Sequence, residues 1–174
     1  MQRISSGPRL IDTASDAAGG SIASKLKTRV GSTQQAIRNA NDGISVLQTA
    51  EGSAKEVSKI LQRARELAVQ AASDTLSDDQ RAYTSNEMKE LTEEAGRIAD
   101  SLEFNGIGLG SGSSFIVQVG ANSDTMSNTI KFRTMDLKTI ATAMTSIDLA
   151  SSSNARAGLK AIDARMDELN TGRA

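Results

Sequence analysis

The run IASKLKTRVGSTQQAIRNANDGISVLQTAEGSAKEVSKILQRARELAVQA, Ile22–Ala71, sets the fold. Apolar or small residues recur at Ile22, Leu26, Val30, Thr33, Ile37, Ala40, Ile44, Leu47, Ala54, Val57, Leu61, Ala64, Ala68 and Ala71, mostly in alternating steps of three and four. That rhythm is a heptad seam. The only proline, Pro8, precedes it. Some fifty residues at 1.5 Å each predict one helix roughly 75 Å long, a length that suits a rod better than a compact domain.

Downstream, Ser77-Asp78-Asp79-Gln80 reads as a capping box. The serine accepts from the backbone of the new helix and the glutamine reaches back, while two carboxylates face the positive end of the helix dipole. The seam resumes at Thr84, Met88, Leu91, Ala95, Ile98 and Leu102 and stops at Asn105-Gly106, a pair suited to left-handed backbone. A short turn can fold this second helix antiparallel to the first. Phe115–Val119 and Thr129–Arg133 read as two strands joined across Gly120–Asp124. Residues 134–150 carry no decisive pattern. Ala155, Leu159, Ile162, Met166 and Leu169 begin a third seam, still running at Ala174.

Composition narrows the chemistry. The aromatics are Tyr83, Phe104, Phe115 and Phe132, so the buried surface must come from small and aliphatic side chains. There is no cysteine and no histidine. Disulfides, thiolate metal sites, common zinc sites and the usual nucleophile–base pairs are therefore out of reach. Twenty basic residues against twenty-one acidic ones, with no long block of one sign, do not resemble a nucleic-acid-binding arm. Lys25, Lys27 and Arg29 point to different sides of a helix. No apolar run approaches the roughly 20 residues of a membrane span. Cofactor, metal, nucleic acid and membrane are all excluded from the expectation. Glu93 and Glu94 diverge on a helix, and Asp163 and Asp167 read as a solvated face. Gly106, Gly108, Gly110 and Gly112 match no phosphate loop and read as a flexible connection.

One stretch runs against helix propensity. Arg38-Asn39-Ala40-Asn41-Asp42-Gly43-Ile44-Ser45-Val46-Leu47-Gln48-Thr49-Ala50-Glu51-Gly52 places two asparagines, an aspartate and two glycines inside the predicted helix. Each glycine costs up to about 1 kcal/mol against alanine. Close approach of a neighbouring helix or subunit at Asn39, Asn41, Asp42 and Gly43 would account for them; a break between two shorter helices is the alternative.

This stretch resembles the signature in the first core helix of bacterial flagellins. Further similar segments follow in the family's order: Arg3–Arg9, Asp16–Gly19, Leu61–Ala72, Phe104–Gly106 and Gln118–Asn122. Pro8 and Gly20 depart from the aliphatic residues usual there. The resemblance implies an elongated, mainly α, α+β fold: an antiparallel bundle of two N-terminal helices and one C-terminal helix, with a small β-hairpin subdomain. Its parts would be a lead-in loop over 1–15, two core helices over 16–105, a glycine-rich connection and hairpin over 106–145, and the start of a returning helix over 146–174. It also implies a structural, non-enzymatic subunit of the flagellar filament, secreted to the cell exterior and partnered by other flagellin subunits. The family's paired terminal helices are not in this sequence, so a trimmed core, monomeric by itself, is expected.

The resemblance further implies a recognition stripe. On the helix surface Arg63, Leu67 and Gln70 lie at i, i+4 and i+7 beside the seam. In receptor-activating flagellins the matching stripe is recognised by Toll-like receptor 5, which would make Arg63 and Leu67 the principal contacts and Gln62, Gln70 and Glu87 supporting ones. The same stripe would meet the next protofilament subunit. The alternative reading has Leu67 widening the core face and Arg63 in a surface ion pair.

Overall fold

The computed structural model describes residues 17–173. The expected lead-in loop and the Arg3–Arg9 segment lie outside them. In chain order the described elements are α1 (Ala17–Ala71), α2 (Asp78–Ser101), β1 (Glu103–Phe104), β2 (Ile107–Gly108), β3 (Ser114–Gln118), α3 (Thr125–Asn128), β4 (Thr129–Arg133), α4 (Leu137–Met144) and α5 (Ser152–Arg173). The mainly α, α+β class follows directly. The chain forms two compact units. One holds the described residues up to Gly43 together with Ile116–Ile130; the other holds Ile44–Phe115 and the residues from Lys131 onward.

Helix α1 runs through the Asn39–Gly43 stretch without a break. Its seam behaves differently in its two stretches. From Ala50 onward the rhythm is buried, with Ala54, Val57, Leu61, Ala64, Ala68 and Ala71 each at 0% exposure. Before Ala50 it is not: Ile22, Leu26, Val30 and Ile37 in the first unit are 57–59% exposed, and Ile44 and Leu47 in the second are 51% and 42% exposed. There, Ala36, Gly43 and Val46 turn inward instead.

In the second unit the turn after α1 is built by polar groups. Ser77 accepts from the Gln80 amide at 3.3 Å, and Gln80 Oε1 accepts from the Ser77 amide at 3.0 Å. Arg81, only 9% exposed, donates to the Ala71 carbonyl, an acceptor that the end of α1 leaves open, and to the carbonyls of Ser73 and Leu76 in the turn. The chain therefore reverses at a fixed register. Helix α2 buries Thr84, Met88, Thr92, Ala95 and Ala99, and Leu102 caps its end.

Asn105 and Gly106 take φ of 50° and 76°, as expected of a left-handed pair, but they do not end α2, which stops at Ser101. They turn the tight antiparallel ladder Glu103↔Gly108, Phe104↔Ile107. The glycine-rich connection is packed rather than flexible. A Cβ on Gly110 would lie 2.1 Å from the Ala99 carbonyl oxygen, and buried Thr134 donates its hydroxyl to the Leu109 carbonyl at 2.8 Å.

Strands β3 and β4 form a second two-stranded sheet, and Phe115 stacks on Phe132 with ring centroids 5.3 Å apart. The undecided 134–150 segment contains α4. Asp136 caps it, accepting from the Thr139 amide at 2.9 Å, and Leu137, Ile140, Ala141 and Met144 sink into the core at i, i+3, i+4 and i+7. Helix α5 buries Ala155, Ile162 and Leu169, with Leu159 and Met166 half-buried, as its seam predicts. Asp163 is not merely solvated: it accepts from Arg65 Nε at 2.7 Å.

Candidate functional site

The capped turn fixes which residues of α1 and α2 face each other. With Arg81 anchored to the Ala71 carbonyl, Glu87 comes opposite Arg63 and accepts from its Nε at 2.7 Å. Arg63 Nη1 also donates to Glu66 at 3.0 Å. Two carboxylates thus hold the guanidinium, and they raise its pKa above the ordinary value, Glu87 first and Glu66 second. Both Arg63 and Glu87 remain close to half exposed, at 49% and 42% of their side-chain surface. A planar group held from two sides retains outward N–H donors in a fixed orientation.

Gln62 and Gln70 are exposed on the same stretch of α1. Gln62 and Glu66 also line a shallow depression of about 470 Å³ with Arg65 and Val69. Leu67 takes the other expected position: it is 1% exposed and belongs to the core cluster. It supports the surface from beneath, because the core face here extends past the a and d positions of the seam. Four of the five expected interface residues therefore share an accessible surface. Glu66 is the member that sequence reasoning missed, and its i+3 spacing from Arg63 was the available signal.

The second expected group sits in the first unit. Asn39 is half-buried and donates Nδ2 to the Gln118 carbonyl at 3.0 Å, while its Oδ1 accepts from Gln35 at 2.9 Å. A poor helix former thus pins the end of β3. Gly43 is buried; Asn41 and Asp42 are exposed. At Gly52 nothing stands within 4 Å of where a Cβ would be, so no contact among the described residues explains that glycine.

Among the described residues no group of three or more carboxylate, cysteine or histidine side chains could hold a metal ion. No helix among them is long and apolar enough to cross a membrane.

Comparison with known proteins bears directly on these features. Residues 1–114 match the bacterial flagellin N-terminal helical region. A flagellin of Halalkalibacterium halodurans is 38% identical over 176 residues, covering 100% of this chain and 64% of that protein. Flagellin 1 of Proteus mirabilis is 43% identical over 134 residues, 76% of this chain and 36% of that one. The chain thus spans less than two thirds of these relatives. The crystal structure of Bacillus cereus flagellin superposes with a TM-score of 0.68 at 27% identity, over 78% of each chain. With a family match over most of its length and a flagellin fold, the chain belongs to the bacterial flagellin family.

Proposed function

We propose that the chain is the helical core of a structural subunit of the bacterial flagellar filament, working outside the cell by packing against other copies of itself and carrying no catalytic activity. The observation that supports this best is the match over residues 1–114, which covers helix α1 through its propensity-defying Asn39–Gly43 segment. Genetic replacement tests it. Substituted for the corresponding part of a flagellin in a flagellin-null bacterium, the chain restores filaments visible by electron microscopy. A hybrid that is exported yet yields no filament overturns the reading.

A second reading is supported by the Arg63–Glu87 pair with Gln62 and Gln70 beside it: the same surface is a ligand for Toll-like receptor 5. Arg63→Ala then lowers signalling in receptor-bearing reporter cells by roughly tenfold or more, as for loss of a central arginine contact. Unchanged signalling, with the helical circular dichroism intact, removes this reading and leaves the filament one standing. Leu67→Ala is the wrong probe, because it opens a hole in the core.

A further inference from the structure

Helices α2 and α4 leave between them an open groove of about 280 Å³, lined by Thr92, Gly96, Ala99, Ala141 and Thr142. At its rim Lys138 pairs with Asp100 at 2.7 Å. Among the described residues, nothing beyond its own stretch of helix lies within 4 Å of where a Cβ on Gly96 would stand. A glycine inside a helix weakens it against alanine, and no described neighbour crowds this one into being a glycine. The charged side chains lining the groove are Glu93, Asp100 and Lys138, and helix α2 as a whole carries seven carboxylates against Arg81, Lys89 and Arg97.

The first unit offers a counterpart. Its described residues bear Lys25, Lys27, Arg29 and Arg38 against Asp42 and Asp124, two positive charges in excess. Lys25 and Arg29 line a depression together with Ala121 and Asn122, so the cations border the loop between β3 and α3. That loop is braced. Gln118 Nε2 donates to the carbonyls of Gly120 and Asn122, Val119 and Gly120 both donate to the Asn128 carbonyl, and Asp124 accepts from the Met126 amide at 3.0 Å. On the turn so held, Met126 is 94% exposed. A flexible, polarisable thioether is the side chain best able to fill an irregular apolar groove.

We propose that Met126 of one copy seats in the α2–α4 groove of a second copy, with the cations of the first unit facing the acidic helix α2. This inference rests on the filament reading and names a contact within it. The two surfaces differ, so a copy can give its Met126 to one neighbour and receive that of another, the heterologous arrangement that builds filaments. Opposite charge steers the encounter, and the missing Cβ at Gly96 makes room for the thioether.

The sequence has no cysteine, which makes a clean test possible. In the full chain as the organism makes it, Met126→Cys and Gly96→Cys proteins are copolymerised and treated with a short bismaleimide. A covalent dimer from the mixture, and none from either protein alone, is the expected result. Filaments of normal appearance without that dimer overturn the contact while leaving the filament reading intact; wild-type protein that never polymerises sinks the filament reading instead. As a second measurement, Gly96→Ala and Met126→Ser each raise the critical concentration for polymerisation about tenfold, with no loss of thermal stability. Unchanged critical concentrations for both variants also overturn the contact.

Discussion

Two stretches of helix α1 carry the same three-four rhythm and meet different fates. In the second unit Val57, Leu61, Ala64 and Ala68 have no exposed surface, whereas Ile22, Leu26, Val30 and Ile37 in the first unit show more than half of theirs. Periodicity sets which side chains share a face of a helix. Whether anything covers that face depends on the elements the rest of the chain supplies. The aliphatic side chains of the first stretch are larger than the alanines of the second, so hydrophobicity alone would rank the two stretches the wrong way round.

Matched substitutions test that contrast, and the largest effect is expected there. Leu61→Ala removes a fully buried side chain and should cost about 2–5 kcal/mol. Ile37→Ala, at a side chain 58% exposed, should stay within about 0.5 kcal/mol. Urea unfolding of this chain followed by circular dichroism gives both values. Equal losses would mean that the exposed stretch is covered after all.

Much of the fold was legible because its signals are local. The capping box at Ser77–Gln80, the left-handed Asn105-Gly106 pair and the third seam each depend on a few neighbouring residues, and each stands where the sequence places it. Helix α4 was not legible: eight residues give barely two turns of periodicity, and its start is signalled only by Asp136. The site divides in the same way. Arg63 and Glu87 meet because a capped turn fixes their register, a local cause. Leu67 went inward because other elements of its unit complete a core wider than a two-position seam, which no local pattern reports.

Glycines sharpen the comparison with a smaller effect. Gly110 sits where a Cβ would meet the Ala99 carbonyl oxygen at 2.1 Å, so Gly110→Ala must displace backbone. A loss of about 1–3 kcal/mol is expected, the usual range for overpacking. Gly52 has open space around it, and Gly52→Ala should stabilise the chain by up to about 1 kcal/mol through helix propensity. Thermal melts of the two variants should therefore move in opposite directions. A destabilised Gly52→Ala would show that this glycine makes a contact in solution.

The smallest expected effect concerns the charges that tie the covered stretch of α1 to α5. Glu51 accepts from Arg173 at 2.9 Å, and its carboxyl is held below its ordinary value of 4.5, chiefly by that hydrogen bond and next by Lys55. A depressed carboxylate binds protons less readily folded than unfolded. Its stabilising contribution is therefore complete above pH 4.5 and fades as the pH falls through the folded value. Arg65 and Asp163 form the other described tie between these helices, whereas Lys25, Lys27, Arg29 and Arg38 have no described ion pair in the first unit. Acid should thus loosen residues 51–71 before residues 22–40, read as faster amide exchange, with the difference shrinking at high salt because the pairs are exposed. Arg173→Ala should reduce the slope of melting temperature against pH below pH 4.5, since only Lys55 then holds the Glu51 carboxyl down. An unaltered slope in that variant would assign the acid sensitivity to other groups, and uniform loosening along α1 would erase the distinction between its two stretches.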